Sequence, residues 1–225
     1  PMQTHYAFTC GDVDLKVTFT APLFMEDLKL LSRPVNYLTY SVAARDGKEH
    51  EVEVYFEASP RWALDQPYQQ SASKGYEADG LLYLKSGSKE QNILAKQGDD
   101  LRIDWGYFYM VAGKENTAYS VGNSTELRKN FVNGTLNSAS LEGEDSNGNM
   151  ALVRSHGKVK NVTDKIMLGY DDIYSIQYFG TNLRPYWNSK GDRTIEAEML
   201  AAYNEYDKLL ARCYAFDKKL MEDAS

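Results

Sequence analysis

The alternation of apolar and polar residues with a period of two constrains this chain more than any other feature. Val13, Leu15, Val17 and Phe19 alternate with Asp14, Lys16, Thr18 and Thr20, the pattern of a strand with one face in the interior and the other in water. A second run, residues 35–45, ends at Asp46-Gly47. Beyond it, Val52, Val54 and Phe56 alternate with Glu51, Glu53 and Tyr55. Asp-Gly supplies the positive φ that a tight turn needs, so the two runs are expected to pair as a β-hairpin. Further strands are expected at 80–85, 101–103, 105–111, 150–154 and 165–170, with a polar loop at 142–149. Regularly spaced strands and polar turns point to a mainly β fold, a two-layer antiparallel β-sandwich, rather than to alternating β-α units.

Two segments break the pattern. Residues 124–131 read as a short helix with Ser124 as its cap and Leu127 and Phe131 on one face. From 194 to 222, apolar residues recur at steps of three and four (Ile195, Met199, Tyr206, Leu209, Cys213, Phe216, Leu220), which describes one amphipathic helix. Glu196 and Glu198 in its first turn and Lys218 and Lys219 near its end suit the helix dipole. Its length, about 40 Å at 1.5 Å per residue, exceeds what capping a sandwich requires, so it reads as a connector. The expected division is a β-sandwich over 1–190 and a connector helix over 191–225. The chain opens on Pro1 without an initiator methionine or a signal segment, and is read as a piece of a longer polypeptide.

Charge and composition exclude several classes of function. A net charge of −7 with no basic stripe argues against a nucleic-acid partner, which needs clustered Lys and Arg. No run approaches the roughly 20 apolar residues of a membrane-spanning helix. Cys10 and Cys213 have no C-x-x-C spacing and no neighbouring His; they are read as small buried side chains rather than as a disulfide or a reactive thiol. His5, His50 and His156 stand far apart, without metal-ligand spacing. There is no G-x-S-x-G elbow and no phosphate loop. No metal, cofactor or catalytic set is indicated. Sequons at Asn123, Asn133 and Asn161 mark surface positions that would carry glycans in a eukaryotic secretory pathway.

Several long words occur in order along the chain: residues 12–23 (DVDLKVTFTAPL), 30–35 (LLSRPV), 46–50 (DGKEH), 98–107 (GDDLRIDWGY), 170–179 (YDDIYSIQYF) and 183–187 (LRPYW). In these the chain resembles the β domain of glutaminase A-like proteins. The resemblance implies a β-sandwich of the supersandwich kind, from a secreted or periplasmic hydrolase of L-glutamine. In such proteins this domain precedes a larger helical catalytic domain, the expected partner within the same polypeptide. The resemblance assigns no catalytic residue to this chain.

Two polar constellations stand out. Asp99, Asp100, Arg102 and Asp104, with Trp105 beside them, fit either the rim of a ligand cleft or a structural ion-pair corner at a turn, and the corner is the favoured reading. A calcium loop is disfavoured, because the D-x-D-x-D-G spacing is missing. Asp171 and Asp172 precede an aromatic run with Tyr178, Arg184 and Trp187. Tyr, Trp and Arg suit a sugar or other small ligand, and suit an interdomain interface equally. Because the run leads into the connector, the interdomain reading is preferred. The alternative is a carbohydrate-binding accessory domain of a glycosidase-like protein.

Overall fold

The computed structural model of the protein describes residues 1–99, 101–136 and 148–224. Twelve strands and three α-helices are present among them: β1 (Gln3–Cys10), β2 (Val13–Thr20), α1 (Leu28–Ser32), β3 (Val35–Ala44), β4 (His50–Ala58), β5 (Ser71–Ala78), β6 (Leu81–Ser88), β7 (Tyr107–Gly113), β8 (Thr117–Gly122), α2 (Ser124–Val132), β9 (Asn149–Val159), β10 (Asn161–Asp171), β11 (Ile176–Tyr178), β12 (Thr181–Leu183) and α3 (Ile195–Asp223). A 3-10 turn, Pro60–Ala63, follows β4, and a second, Tyr186–Asn188, precedes α3. The strands form an antiparallel seven-stranded sheet in the order β1-β2-β3-β10-β7-β6-β5 and a three-stranded sheet in the order β4-β9-β8. The two face each other as the sandwich that the alternation predicts.

The large sheet is buried on both faces over its centre, and β6 shows why its sequence does not alternate. Leu82 and Leu84 point toward the small sheet, where they join Phe108, Met110, Ile166, Met150 and Leu152 in one core. Leu81 and Tyr83 point the other way into a second core with Tyr37, Tyr109 and Met167. That second core is closed by α3, whose Ile195, Met199, Ala202, Tyr206, Leu209 and Cys213 lie on it. The Tyr37 hydroxyl donates to Ala202 O at 2.8 Å, and Asp217 Oδ1 accepts from Met2 N at 2.6 Å. A buried Glu198 binds Arg33 at 3.1 Å and also Arg193, which pins the first turns of the helix. Thr194 caps it by accepting from Ala197 N. At 29 residues the helix is roughly 43 Å long, enough to run across the strands from Tyr76 and Tyr83 to Met2. Gly169 admits it, since a Cβ there would stand 2.3 Å from Met199 Cε and 2.4 Å from Pro34 O.

Five expectations are corrected. The Asp46-Gly47 turn has the anticipated backbone, with Gly47 at φ +73 and Asp46 Oδ1 accepting from Lys48 N. It does not close a hairpin: both edges of β3 are already occupied by β2 and β10, and the chain crosses to the small sheet, where β4 pairs with β9. Phe19 is exposed and Thr20 buried, because three strands are too few to cover β1 and β2; Cys10, on the same uncovered edge, is exposed as well. Cys213 is buried as expected, and burial pushes its thiol up to about 11. Residues 101–103 form no strand. The cap of α2 is Asn123, whose side chain accepts from Thr125 N, and not Ser124; the Ser124 side chain instead bonds Glu57. Of the loop at 142–149, residues up to 147 lie outside the described residues.

The sheets are joined by three crossings at one end, β3 to β4, β7 to β8 and β9 to β10. One network ties this corner together. Arg154 on β9 donates to Asp164 on β10 from Nε at 2.9 Å and Nη2 at 2.6 Å, and to the carbonyls of Gly113 and Glu115 at 2.7 and 2.6 Å. The buried Tyr40 of β3 hydrogen-bonds through its hydroxyl with His156 Nε2 at 2.7 Å. Burial holds His156 below its ordinary value of 6.5, against the pull of Asp164 and with the push of Arg154. The folded state therefore favours the neutral ring. Its stability is full above about pH 6.5 and falls as the unfolded chain takes up the proton that the folded one refuses. Between about pH 7 and pH 5.5 the melting temperature of the protein is expected to drop more than that of His156→Gln; equal drops would remove His156 as the cause.

Candidate docking surface

The end opposite the crossings carries the two constellations read from the sequence. Here β7 begins and β10 finishes, and the structure joins their flanking loops. The Trp105 indole N–H donates to the carbonyls of Asp172 at 2.8 Å and Tyr174 at 3.0 Å. The Tyr170 hydroxyl donates back to Trp105 O at 2.5 Å. Gly106, at φ +79, allows the approach, since a Cβ would lie 2.3 Å from Asp171 O. Gln91 clasps the same residue, donating to Gly106 O at 3.1 Å and accepting from Gly106 N at 2.8 Å. Two stretches about 65 residues apart in sequence thus form one rigid block.

Within the block, Asp104 is 1 % exposed and accepts from Lys96 Nζ at 2.9 Å and Gln69 Nε2 at 3.2 Å. Lys96 also reaches Asp65 at 3.1 Å, and its hydrogen bond holds that carboxyl below the usual range. The ion-pair corner is present, but its cation is Lys96 and not Arg102, which is exposed and acts on Asp65 through its charge alone. Asp99 is exposed, and Asp100 lies outside the described residues. Asp171 is half-buried, and burial raises its carboxyl even though Oδ1 accepts from Ile173 N at 3.0 Å. It lies on the α3 side of the sheet, where the Lys85 ammonium stands 3.6 Å from the centroid of the Tyr107 ring and is lowered by burial. Asp172 Oδ2 accepts from Ser175 Oγ at 2.5 Å and so shapes the turn into the next hairpin. Among the described residues no three His, Cys, Asp or Glu side chains are grouped as a metal site would require.

That hairpin, β11 and β12, is an arm whose residues are all exposed. Ile176, Tyr178, Phe179, Leu183 and, beyond it, Tyr186 present large apolar surfaces to solvent. Phe179 at the tip is 91 % exposed with φ +45, followed by Gly180 at φ +77. Two successive positive φ values make a turn that favours Asn-Gly, and an aromatic at the first of them is strained. The Tyr178 and Phe179 rings meet edge to face with centroids 4.5 Å apart. At the root of the arm the Arg184 guanidinium lies 4.8 Å from the Tyr174 ring centroid. Trp187 is only 4 % exposed and packs inward. Across the same end stand Leu23, Met25, Trp62 and Tyr68, all exposed. Trp62, in the Pro60–Ala63 turn, was not legible as a surface aromatic; a lone Trp after Ser-Pro carries no periodic signal.

A two-sheet β-sandwich with exposed large apolar side chains at one end is the class of domain that fold and surface define. Residues 2–223 match the family described as a domain of unknown function, DUF5127, and the chain belongs to that family. It is also 27 % identical over 237 aligned positions to a protein named glutaminase A from Aspergillus oryzae (strain ATCC 42149 / RIB 40). The alignment takes in 97 % of this chain and 33 % of that protein, so the chain spans about a third of the length of its relative. No helix among the described residues is long and apolar enough to cross a membrane.

Proposed function

We propose that the chain is a non-catalytic β-sandwich domain of a larger, secreted glutaminase-related polypeptide, and that its arm docks on the helical catalytic domain of that polypeptide. The observation that carries this reading is Phe179, a nearly fully exposed aromatic held in a strained turn conformation that Asn would adopt more easily. Strain of this kind costs on the order of 1 kcal/mol or more and persists where a function requires the side chain. The surrounding apolar residues exceed what a monomer exposes singly, and aromatic anchors beside an Arg are the composition of an interface centre. The relation to glutaminase A, a protein three times as long, supports a further domain; the location outside the cytoplasm rests on the same resemblance.

Phe179→Asp and Tyr178→Asp in this domain are expected to weaken its association with the helical domain, the two being made separately, by roughly tenfold or more. Neither substitution is expected to lower the melting temperature of the 225-residue chain alone. That chain is expected not to release ammonia from L-glutamine. Turnover by the chain itself, or undiminished association of the Asp variants, would overturn the proposal.

A further inference from the structure

A groove on the large sheet, lined by none of the arm's residues, has a chemistry that docking by the arm does not use. Its volume is about 660 Å³, within the range of sites for small ligands. Its lining comes from five consecutive strands, with Phe108 on β7, Tyr170 on β10, Asn36 on β3, Phe19 on β2 and Thr4 on β1, while Trp62 leans in from its turn. Four strand spacings make it roughly 19 Å long. In a chain that is 25 % charged, no charged side chain lines it. Trp62 is 60 % exposed and meets Phe108 edge to face at 5.0 Å, which leaves a face of the indole open.

Neutral hydrogen-bonding groups stand along this apolar trough. The Trp62 indole N–H, the Asn36 amide and the Thr4 hydroxyl make no hydrogen bond among the described residues. A purely apolar occupant would bury them unpaired, which opposes its binding. A charged occupant would be desolvated with no charged side chain to pair with, the Pro1 amino group being the one charge in the lining. A ligand with flat C–H faces and uncharged hydroxyls meets both conditions.

We propose that this groove binds a neutral oligosaccharide, with sugar rings on Trp62 and Phe19 and hydroxyls bonded to Asn36, Thr4 and the indole N–H. The separation of the two aromatic platforms selects a chain of several sugar units over a monosaccharide. This site is independent of the arm, and each stands if the other fails.

The test is titration of the 225-residue chain with neutral gluco-, xylo- and manno-oligosaccharides of increasing length, followed by tryptophan emission and calorimetry. At least one series is expected to give saturable binding that tightens with length. Trp62→Ala and Phe19→Ala are expected to weaken it by roughly tenfold or more with the melting temperature unchanged, since both side chains are exposed. Phe179→Ala is expected to bind as the parent does. No binding by any series at millimolar sugar, or equal binding by Trp62→Ala, would refute the site. So would protection of Trp62 from mild indole oxidation in the longer polypeptide without sugar, because it would show that protein covers the groove.

Discussion

A chain ended at residue 190 is expected to lose cooperative folding altogether. The helix that would be removed contributes Ile195, Met199, Ala202, Tyr206, Leu209 and Cys213 to the core on one face of the large sheet. Burying each large apolar side chain is worth about 1.5–3 kcal/mol, so the loss is on the order of 10 kcal/mol, comparable to the whole stability of a typical domain of about 5–15 kcal/mol. Tyr37 and Tyr83 would in addition lose their hydroxyl partners Ala202 O and Glu196 O. Circular dichroism of the shortened chain is expected to show no sigmoidal melt, with binding of a hydrophobic dye at room temperature. A melt within a few degrees of the parent would mean that α3 is a dispensable connector.

The second large effect is expected at the corner where the sheets are joined. Arg154→Met removes a cation that serves Asp164 and two backbone carbonyls at once, and it leaves the carboxylate with a 2.8 Å bond from Lys165 N and a long one from Tyr40, at 3.3 Å, neither of them from a cation. Breaking a pair this enclosed costs roughly 3 kcal/mol, or about 10 °C in melting temperature for a chain of this size. Adding Asp164→Leu is expected to restore part of the loss, because the penalty lies in the orphaned charge rather than in the absent bridge. If the double variant is less stable than Arg154→Met, the carboxylate has a role that its arginine does not explain.

The parts of the fold legible in the sequence are those where one element alone sets the pattern. Steps of three and four between Ile195 and Leu220 predicted α3 to within a residue at each end, because a helix repeats against whatever it packs on. The Asp46-Gly47 turn and the strands on either side of it are legible and their pairing is not: local chemistry fixes φ at Gly47 but says nothing about β2 and β10 already flanking β3. Phe19 follows the same rule, since its alternation marks a face and the extent of the covering sheet decides whether that face is buried. In the docking surface, the words around Trp105 and Asp171 were recognised separately, and only the indole N–H reaching Asp172 O and Tyr174 O makes them one block. Lys96, Gln91 and Trp62 lay in loops, where no periodicity points to a role.

The three crossings at one corner also bear on how the chain assembles. Each strand of the small sheet continues from or into a central strand of the large one, and none is joined by a hairpin to a neighbour in its own sheet. The pairing of His50 with Val159 closes a loop of more than a hundred residues, and such closures are costly until something else has brought the ends together. The hairpins β1–β2 and β5–β6 need no such help. The large sheet needs a closure just as long, since Ala43 of β3 pairs with Asn161 of β10. Meeting of the chain at this one corner therefore brings the distant partners of both sheets together at once, and folding is expected to be slow beside that of a chain of local hairpins.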